Sequence, residues 1–263
     1  MIRSKQFSVV FLLIVGLVAV STSSAGAAIV ASGNVEPDDP ASWTSSTIGY
    51  IGKTADGSVS VDDGSDLVSN YVYLGFNSSV SGTATITGSG STWTNTGSSY
   101  STFFVGYAGS GSLSITGGAT VSNSWGYIGY GSGSTGVVTV DGSGSRWANS
   151  KNLYIGQSGS GTLSITGGAA VSSSYNSYIG YGSSSTGIVT VDGPGSTWTN
   201  SNDLIVGYGG SGTLHITGGA TVSVDDSTFV GYSSVPTGLI DFGSAGGGTL
   251  STKTLCAPPP QNF

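Results

Sequence analysis

The chain has 263 residues, of which 46 are glycine and 7% are charged, with 13 Asp and Glu residues against 6 Lys and Arg. Its hydrophobic content of 37% excludes the composition of a disordered chain, and the glycines lack the three-residue period of collagen. The excess of carboxylates repels phosphate backbones, which argues against nucleic acid as a partner. A single cysteine, Cys256, cannot form an internal disulfide, so packing and hydrogen bonds must hold the fold.

Residues 1–27 have the layout of a secretory signal peptide. Arg3 and Lys5 precede an apolar run from Val9 to Val20, and a small-residue cleavage site follows at 25–27. The run is too short to span a bilayer comfortably. We therefore expect a secreted or cell-surface protein that has no membrane span once the signal is removed. Residues 28–46 are predicted to be an N-terminal cap or linker.

Residues 47–250 form eight similar half-units of two alternating kinds. One kind contains "GTLSITGGAxV" and the other "TGVVTVDGSGSRWANS". A glycine that follows an aliphatic residue aligns them, at 23 to 31 residues from one half-unit to the next. The aligned glycines are Gly52, Gly75, Gly106, Gly129, Gly156, Gly180, Gly207 and Gly231. Repeats of this length are typical of solenoids and propellers.

Each half-unit contains about three short strands. Apolar and small polar residues alternate at Leu163–Thr166 and Val138–Asp141, and glycine turns bound these segments. Three strands per half-unit predict one coil of a parallel β-helix, and parallel crossovers favour a right-handed coil. The alternative is an antiparallel β-sandwich or propeller, which the missing Asn-Gly hairpin turns disfavour. Residues 251–263 are predicted to be a C-terminal tail.

Three columns of residues are predicted to line the coils. The first contains Val61, Ile86, Ile115, Val140, Ile165, Val191, Ile216 and Phe242. The second contains Leu67, Trp93, Val121, Trp147, Val171, Trp198 and Val222, in which large and small side chains alternate as close packing requires. The third contains Asn95, Asn149 and Asn200, which are expected to satisfy turn backbone or to bond along the axis.

The pattern "IGYGSSSTGIVTVDGPGSTWTNSNDLIVGYGGSGTLHITGGATVS" resembles the bacterial repeat associated with type V (autotransporter) secretion and PEP-CTERM proteins. The resemblance covers roughly residues 46–250. Members of that family are mostly large exported surface proteins of unassigned role. The resemblance therefore implies an exported β-helix and leaves its chemistry open.

The residue after each aligned glycine is aromatic in most half-units and supplies the ligand-binding candidates. They are Tyr107, Tyr130, Tyr181, Tyr208 and Tyr232, with Phe76 in the same column and Lys53 and Gln157 as exceptions. Facing outward, such rings would suit the faces of sugars. Stacked on one another, they would instead reinforce the coil, and this second interpretation is the favoured one.

Polar residues offer weaker candidates. Asp141 and Asp192 occupy every second coil and resemble a hydrolase pair, but "VDG" is a standard turn and the turn interpretation is preferred.

Other acidic residues could be imagined as calcium ligands but are expected to be solvated loop residues; they are Asp62, Asp63, Asp66, Asp225 and Asp226. His215 is expected to be a surface substitution, and Cys256 is not expected to be reactive. Two columns of outward-facing residues are expected to be solvated surface. The first contains Ser114, Thr139, Ser164, Thr190 and His215, and the second contains Thr87, Thr116, Asp141, Thr166, Asp192 and Thr217.

The sequence as a whole predicts a non-enzymatic, exported structural or adhesive repeat protein. The alternative is a polysaccharide-binding or polysaccharide-degrading β-helix. No cofactor or metal is expected. The expected partners are glycans or cell-surface polymers, and an open solenoid end also predicts end-to-end self-association.

Overall fold

The computed structural model describes residues 28–232, 237–244 and 246–257, and these residues form stacked parallel coils. The predicted signal peptide lies outside the described residues. In these ranges the helical structure consists of a short 3-10 turn at Pro40–Ser42. None of the described helical structure has the length and apolar character needed to cross a membrane.

Two strands precede the coils, β1 (Ala28–Gly33) and β2 (Val35–Glu36). Both pair antiparallel with the first coil, where Ile29 lies opposite Val61 and Val35 lies opposite Ile51. They therefore cover the exposed edge of the first coil on two of its faces. All other pairs between the described strands are parallel.

Each coil has one strand on each of three faces, called A, B and C in chain order. Face A contains β3 (Ile48–Ile51), β6 (Tyr71–Leu74), β9 (Thr102–Val105), β12 (Trp125–Ile128), β15 (Leu153–Ile155), β18 (Ser177–Ile179) and β21 (Leu204–Val206). Face B contains β4 (Gly57–Asp62), β7 (Ser81–Thr87), β10 (Ser110–Thr116), β13 (Thr135–Asp141), β16 (Ser160–Thr166), β19 (Thr186–Asp192), β22 (Ser211–Thr217) and β24 (Thr237–Asp241). Face C contains β5 (Asp66–Ser69), β8 (Thr92–Asn95), β11 (Thr120–Asn123), β14 (Arg146–Asn149), β17 (Ala170–Ser173) and β20 (Thr197–Asn200).

Two long strands in the last described coils bend from face C onto face A. They are β23 (Thr221–Val230) and β25 (Thr249–Cys256), which pair with each other in parallel. The chain is thus a parallel β-solenoid of about eight turns, which confirms the predicted fold class and excludes the antiparallel alternatives. The right-handed sense of the coil stays a prediction. Strand β25 crosses the boundary predicted at residue 250, so residues 251–256 belong to the last turn rather than to a separate tail.

The strands of face B are stacked in register, and this confirms most of the first predicted column. Ile115 lies opposite both Ile86 and Val140, and the column is buried from Val61 to Ile216. Phe242 was wrongly placed in it. Strand β24 ends at Asp241, whose carboxylate accepts the backbone N–H of Gly243 at 2.9 Å, so the alternation stops and Phe242 is 40% exposed.

The second predicted column is confirmed on face C. Trp147 lies between Val121 and Val171, and Trp198 lies between Val171 and Val222. All five side chains are essentially inaccessible to solvent. Alternating indole and isopropyl groups fill the space between face C and the other faces without enlarging any single coil.

The asparagine column is also buried, and it includes a residue that the sequence analysis omitted. Asn123 lies between the coils of Asn95 and Asn149, and its Nδ2 donates to Asn149 Oδ1 at 2.6 Å. Trp147 Nε1 donates to Asn123 Oδ1 at 2.7 Å. The column therefore satisfies the buried indole of Trp147 and a neighbouring amide. Asn95 Nδ2 also donates to the backbone carbonyl of Thr102, as expected for turn backbone.

Glycine is required where neighbouring coils approach most closely. Gly129 has a φ of 71°, and a Cβ built on it would lie 2.1 Å from the carbonyl oxygen of Ser160 in the next coil. Any larger residue would push these backbones apart. The aligned glycines thus mark the corner between faces A and B.

Candidate functional site

The predicted tyrosine column forms a continuous stack at the corner between faces A and B. The rings of Phe76, Tyr107 and Tyr130 lie parallel, with centroids 5.1 and 5.0 Å apart. After the interruption by Gln157, the rings of Tyr181, Tyr208 and Tyr232 repeat the arrangement at 4.8 and 5.1 Å. These distances equal the spacing of neighbouring strands, because each coil contributes one ring.

A second aromatic stack, which the sequence analysis missed, runs beside the first on face A. Its members are Tyr50, Tyr73, Phe104, Tyr127, Tyr154 and Tyr178, with centroids 4.8–5.2 Å apart. The signal was present in the sequence, since each of these residues stands two positions before an aligned glycine. The two stacks meet edge to face, as where Phe104 meets Tyr130 at 5.0 Å.

The mutual stacking determines what the tyrosines can do. Both faces of Tyr107 and of Tyr208 are covered by the rings above and below them, so neither presents a ring face to a sugar. Tyr232, at the end of the column, is 56% exposed. The geometry thus matches the interpretation of the column as a ladder that reinforces the coil.

Burial in these stacks perturbs the phenol groups of face A. Burial, together with the neighbouring tyrosines, raises the pKa of Tyr73 to about 12. Burial raises the pKa of Tyr127 and of Tyr154 in the same direction. The hydroxyl of Tyr154 also accepts a hydrogen bond from Asn152 Nδ2 at 3.1 Å, which partly opposes the shift. These phenols are therefore neutral through the physiological pH range.

Asp141 and Asp192 lie apart, and each accepts a hydrogen bond from a threonine of the following coil. Thr166 Oγ1 donates to Asp141 Oδ1 at 2.6 Å, and Thr217 Oγ1 donates to Asp192 Oδ1 at 2.5 Å. Each carboxylate thus binds the threonine of the next coil. Two strand spacings separate the pair, about 9.6 Å, with Thr166 on the coil between them. This arrangement matches the turn interpretation.

The remaining acidic and histidine candidates are dispersed. Asp62 and Asp66 accept separate hydrogen bonds, from the backbone of Ala28 and from Thr92, and the described residues contain no group of three side chains suited to a metal ion. His215 Nδ1 lies 3.1 Å from Asp241 Oδ2. The backbone N–H of Gly243 and then this histidine lower the pKa of Asp241. Cys256 is half-buried and unpaired among the described residues.

The corner between faces C and A carries a cluster that the sequence analysis did not identify. A cavity of about 280 Å³, here called the C–A cleft, lies at this corner. Its lining residues are Ser99, Tyr100, Trp125, Lys151, Asn152 and Tyr175. Tyr100 is 65% exposed and Tyr175 is 49% exposed. Lys151 Nζ lies 4.4 Å from the ring centroid of Tyr175, a cation–π contact.

A polar groove on face C runs up to this cleft. The groove has a volume of about 400 Å³. It is lined by hydroxyl groups from successive coils, such as Thr94, Ser122 and Ser172, and by the exposed side chain of Arg146. The groove also includes Ser124, which directly precedes Trp125 of the cleft. The groove and the cleft therefore form one continuous surface around the C–A corner.

Comparison of the chain with protein-family models, with curated proteins and with solved structures finds no match. The resemblance to autotransporter-associated and PEP-CTERM repeats therefore stays an expectation from the sequence.

Proposed function

We propose that the chain is an exported structural or adhesive repeat protein that acts by displaying the outside of its solenoid. The observation that carries this proposal is the in-register repetition of outward side chains along the coils. On face B, Ser114 lies opposite Thr139, which lies opposite Ser164. Each coil thus repeats similar chemistry at about 4.8 Å intervals over a rod of roughly 38 Å.

Such a rod acts through many weak contacts rather than through one enclosed site. Repeated groups on a stiff support engage a repetitive partner simultaneously, and the combined affinity exceeds that of any single contact. The stacked rings and in-register ladders supply the stiffness. Export through residues 1–27 is part of the proposal, because it would place the rod where cell-surface polymers are found.

Cell fractionation tests the location. An antibody raised against the purified chain is used to probe the cytosol, surface and medium of the cells in which the protein occurs, with and without protease treatment of intact cells. We expect the chain in the surface or medium fraction and its loss from the surface after protease. Confinement to the cytosol would overturn the proposal of export.

Bead adhesion tests the display mechanism. Beads carrying the mature chain at increasing density are mixed with intact cells and with insoluble polysaccharides, and retained material is counted. Retention should rise more steeply than in proportion to density. No retention at any density, or release of reducing sugar from the polysaccharides, would contradict a non-catalytic adhesive role.

One observation favours the polysaccharide-binding alternative as a specific form of adhesion. Exposed aromatic rings, amide groups and hydroxyl groups converge at the C–A corner, and this is the usual combination in sites that hold sugars. In the self-stacked tyrosine column, by contrast, both ring faces of Tyr107 and of Tyr208 are covered by neighbouring rings.

A further inference from the structure

The C–A cleft owes its shape to the unequal lengths of successive corners. Residues 96–101 form a six-residue loop between β8 and β9, whereas a single residue, Ser124, joins β11 to β12. The long loop carries Tyr100 beside Trp125 of the following coil, and both line the same cavity. The corners at 150–152 and 174–176 then add Lys151 and Tyr175.

The cleft offers aromatic surface that is not used by the core. Trp125 is the one tryptophan of the five that is not buried, and all five lie in the described ranges. Its ring lies parallel to those of Tyr127 and Tyr154, each with centroids 6.4 Å away, which fixes its orientation. With Tyr100 and Tyr127 it also lines an adjoining cavity of about 300 Å³. A preoriented ring costs little entropy when a ligand stacks on it.

The charge of this surface differs from that of the rest of the molecule. None of the 13 carboxylates lines the cleft or the polar groove, whereas Arg146 and Lys151 do. By contrast, Lys53 is neutralised by Glu36, with 2.6 Å between Nζ and Oε2. Two cations on an acidic protein form a local site for negative charge.

We propose that the C–A cleft and the polar groove bind an acidic polysaccharide, with its sugar rings against Tyr100, Trp125 and Tyr175 and its carboxylates near Arg146 and Lys151. This inference rests on the proposed adhesive function and names its ligand class. The groove hydroxyl groups from Thr94, Ser122 and Ser172 donate to and accept from sugar hydroxyls. The sparse positive charge suits one carboxylate per sugar better than the dense phosphates of nucleic acid.

Binding is measured by titrating the mature chain with polygalacturonate, with dextran as the neutral probe and single-stranded DNA as the phosphate probe. Two readouts are used, the tryptophan emission of the chain and its retardation in gels that contain the polymer. We expect polygalacturonate to change the emission and retard the chain, dextran to bind more weakly, and added salt to weaken binding. Trp125→Phe should abolish the emission change.

Two double variants test the residues. Tyr100→Ala with Tyr175→Ala should weaken retardation roughly tenfold through lost stacking area. Arg146→Gln with Lys151→Gln should weaken it by about fivefold at low salt and remove its salt dependence. The matched controls are Tyr232→Ala, which alters an exposed ring elsewhere, and Lys253→Gln, which removes a cation elsewhere. The controls should bind as the unmodified chain does, and circular dichroism shows whether each variant folds.

The proposal is overturned if folded cleft variants bind polygalacturonate as strongly as the controls do, or if dextran or DNA binds as well as polygalacturonate. The bead assay separates this result from failure of the wider function. Retention of cells without binding of polygalacturonate rejects the cleft and its ligand class alone. Absence of retention on every surface rejects the adhesive role itself.

Discussion

Two tryptophans of face C occupy equivalent positions in the repeat and differ in the hydrogen bonding of the indole N–H. Trp147 and Trp198 are both fully buried, and a valine lies opposite each of them on either side. Trp147 Nε1 donates to Asn123 Oδ1 at 2.7 Å. The Nε1 of Trp198 is buried and has no acceptor among the described residues. Comparing the phenylalanine substitution at each of the two tryptophans therefore measures how much the Trp147–Asn123 hydrogen bond contributes to stability.

The cost of the smaller ring is similar in the two substitutions, because each indole packs between two valines of the neighbouring coils. Trp147→Phe also leaves the buried Asn123 Oδ1 without its indole donor, which costs about 1–3 kcal/mol. Trp198→Phe removes an N–H that had no partner and so adds no such penalty. We expect Trp147→Phe to lower the free energy of unfolding by about 1–3 kcal/mol more than Trp198→Phe does.

Chemical unfolding followed by far-ultraviolet circular dichroism measures the difference, since tryptophan emission is itself altered by the substitutions. The free energy of unfolding should depend on denaturant concentration with the same slope in both variants, so that the shift in the unfolding midpoint measures the change in stability. Equal losses in the two variants, or a larger loss in Trp198→Phe, would refute the role given to the asparagine column.

Two further predictions concern corners and aromatic stacks. Gly129 and Gly133 both have positive φ, but a Cβ at Gly133 meets nothing within 4 Å. Gly133→Ala should therefore cost about 1–2 kcal/mol and Gly129→Ala about 2 kcal/mol more, and equal thermal midpoints would contradict close coil contact. Burial, together with the neighbouring tyrosines, raises the pKa of Tyr73 from 10.0 to about 12, so the stability that its neutral form contributes is fully present below pH 10. The midpoint of thermal unfolding should fall as the pH rises from 10 to 12, and the midpoint of the Tyr73→Phe variant should fall less. An equal fall in the two proteins would contradict the burial of the Tyr73 phenol.

The columns could be predicted from the sequence because each position recurs at nearly the same place in every half-unit. Trp93 and Val121, for example, fall opposite each other once the glycines are aligned. The prediction failed at Phe242, which follows the end of the last described strand of face B, where the repeat no longer constrains the chain. Alternation alone does not show where a strand stops.

The candidate site could not be predicted in the same way. Tyr100 and Tyr175 lie in corners of unequal length, and Trp125 begins strand β12, so the three share no repeat position. Their proximity depends on how each loop crosses the corner, which the alternation of apolar residues does not encode. The face A stack could be predicted from the sequence, since Tyr127 precedes Gly129 by two positions and the same spacing recurs in most of the other coils.

The central claim is that neighbouring coils are stacked in register, since the displayed surface and the C–A cleft both depend on it. The direct test introduces cysteine pairs on face B in a Cys256→Ser chain and measures loss of free thiols under mild oxidation. Ser114→Cys with Thr139→Cys joins direct partners on adjacent strands, whose spacing of about 4.8 Å allows a disulfide. Ser114→Cys with Ser164→Cys is separated by two strand spacings, about 9.6 Å, and should stay reduced. Faster oxidation of the second pair, or equal rates for both, would contradict the stacked register.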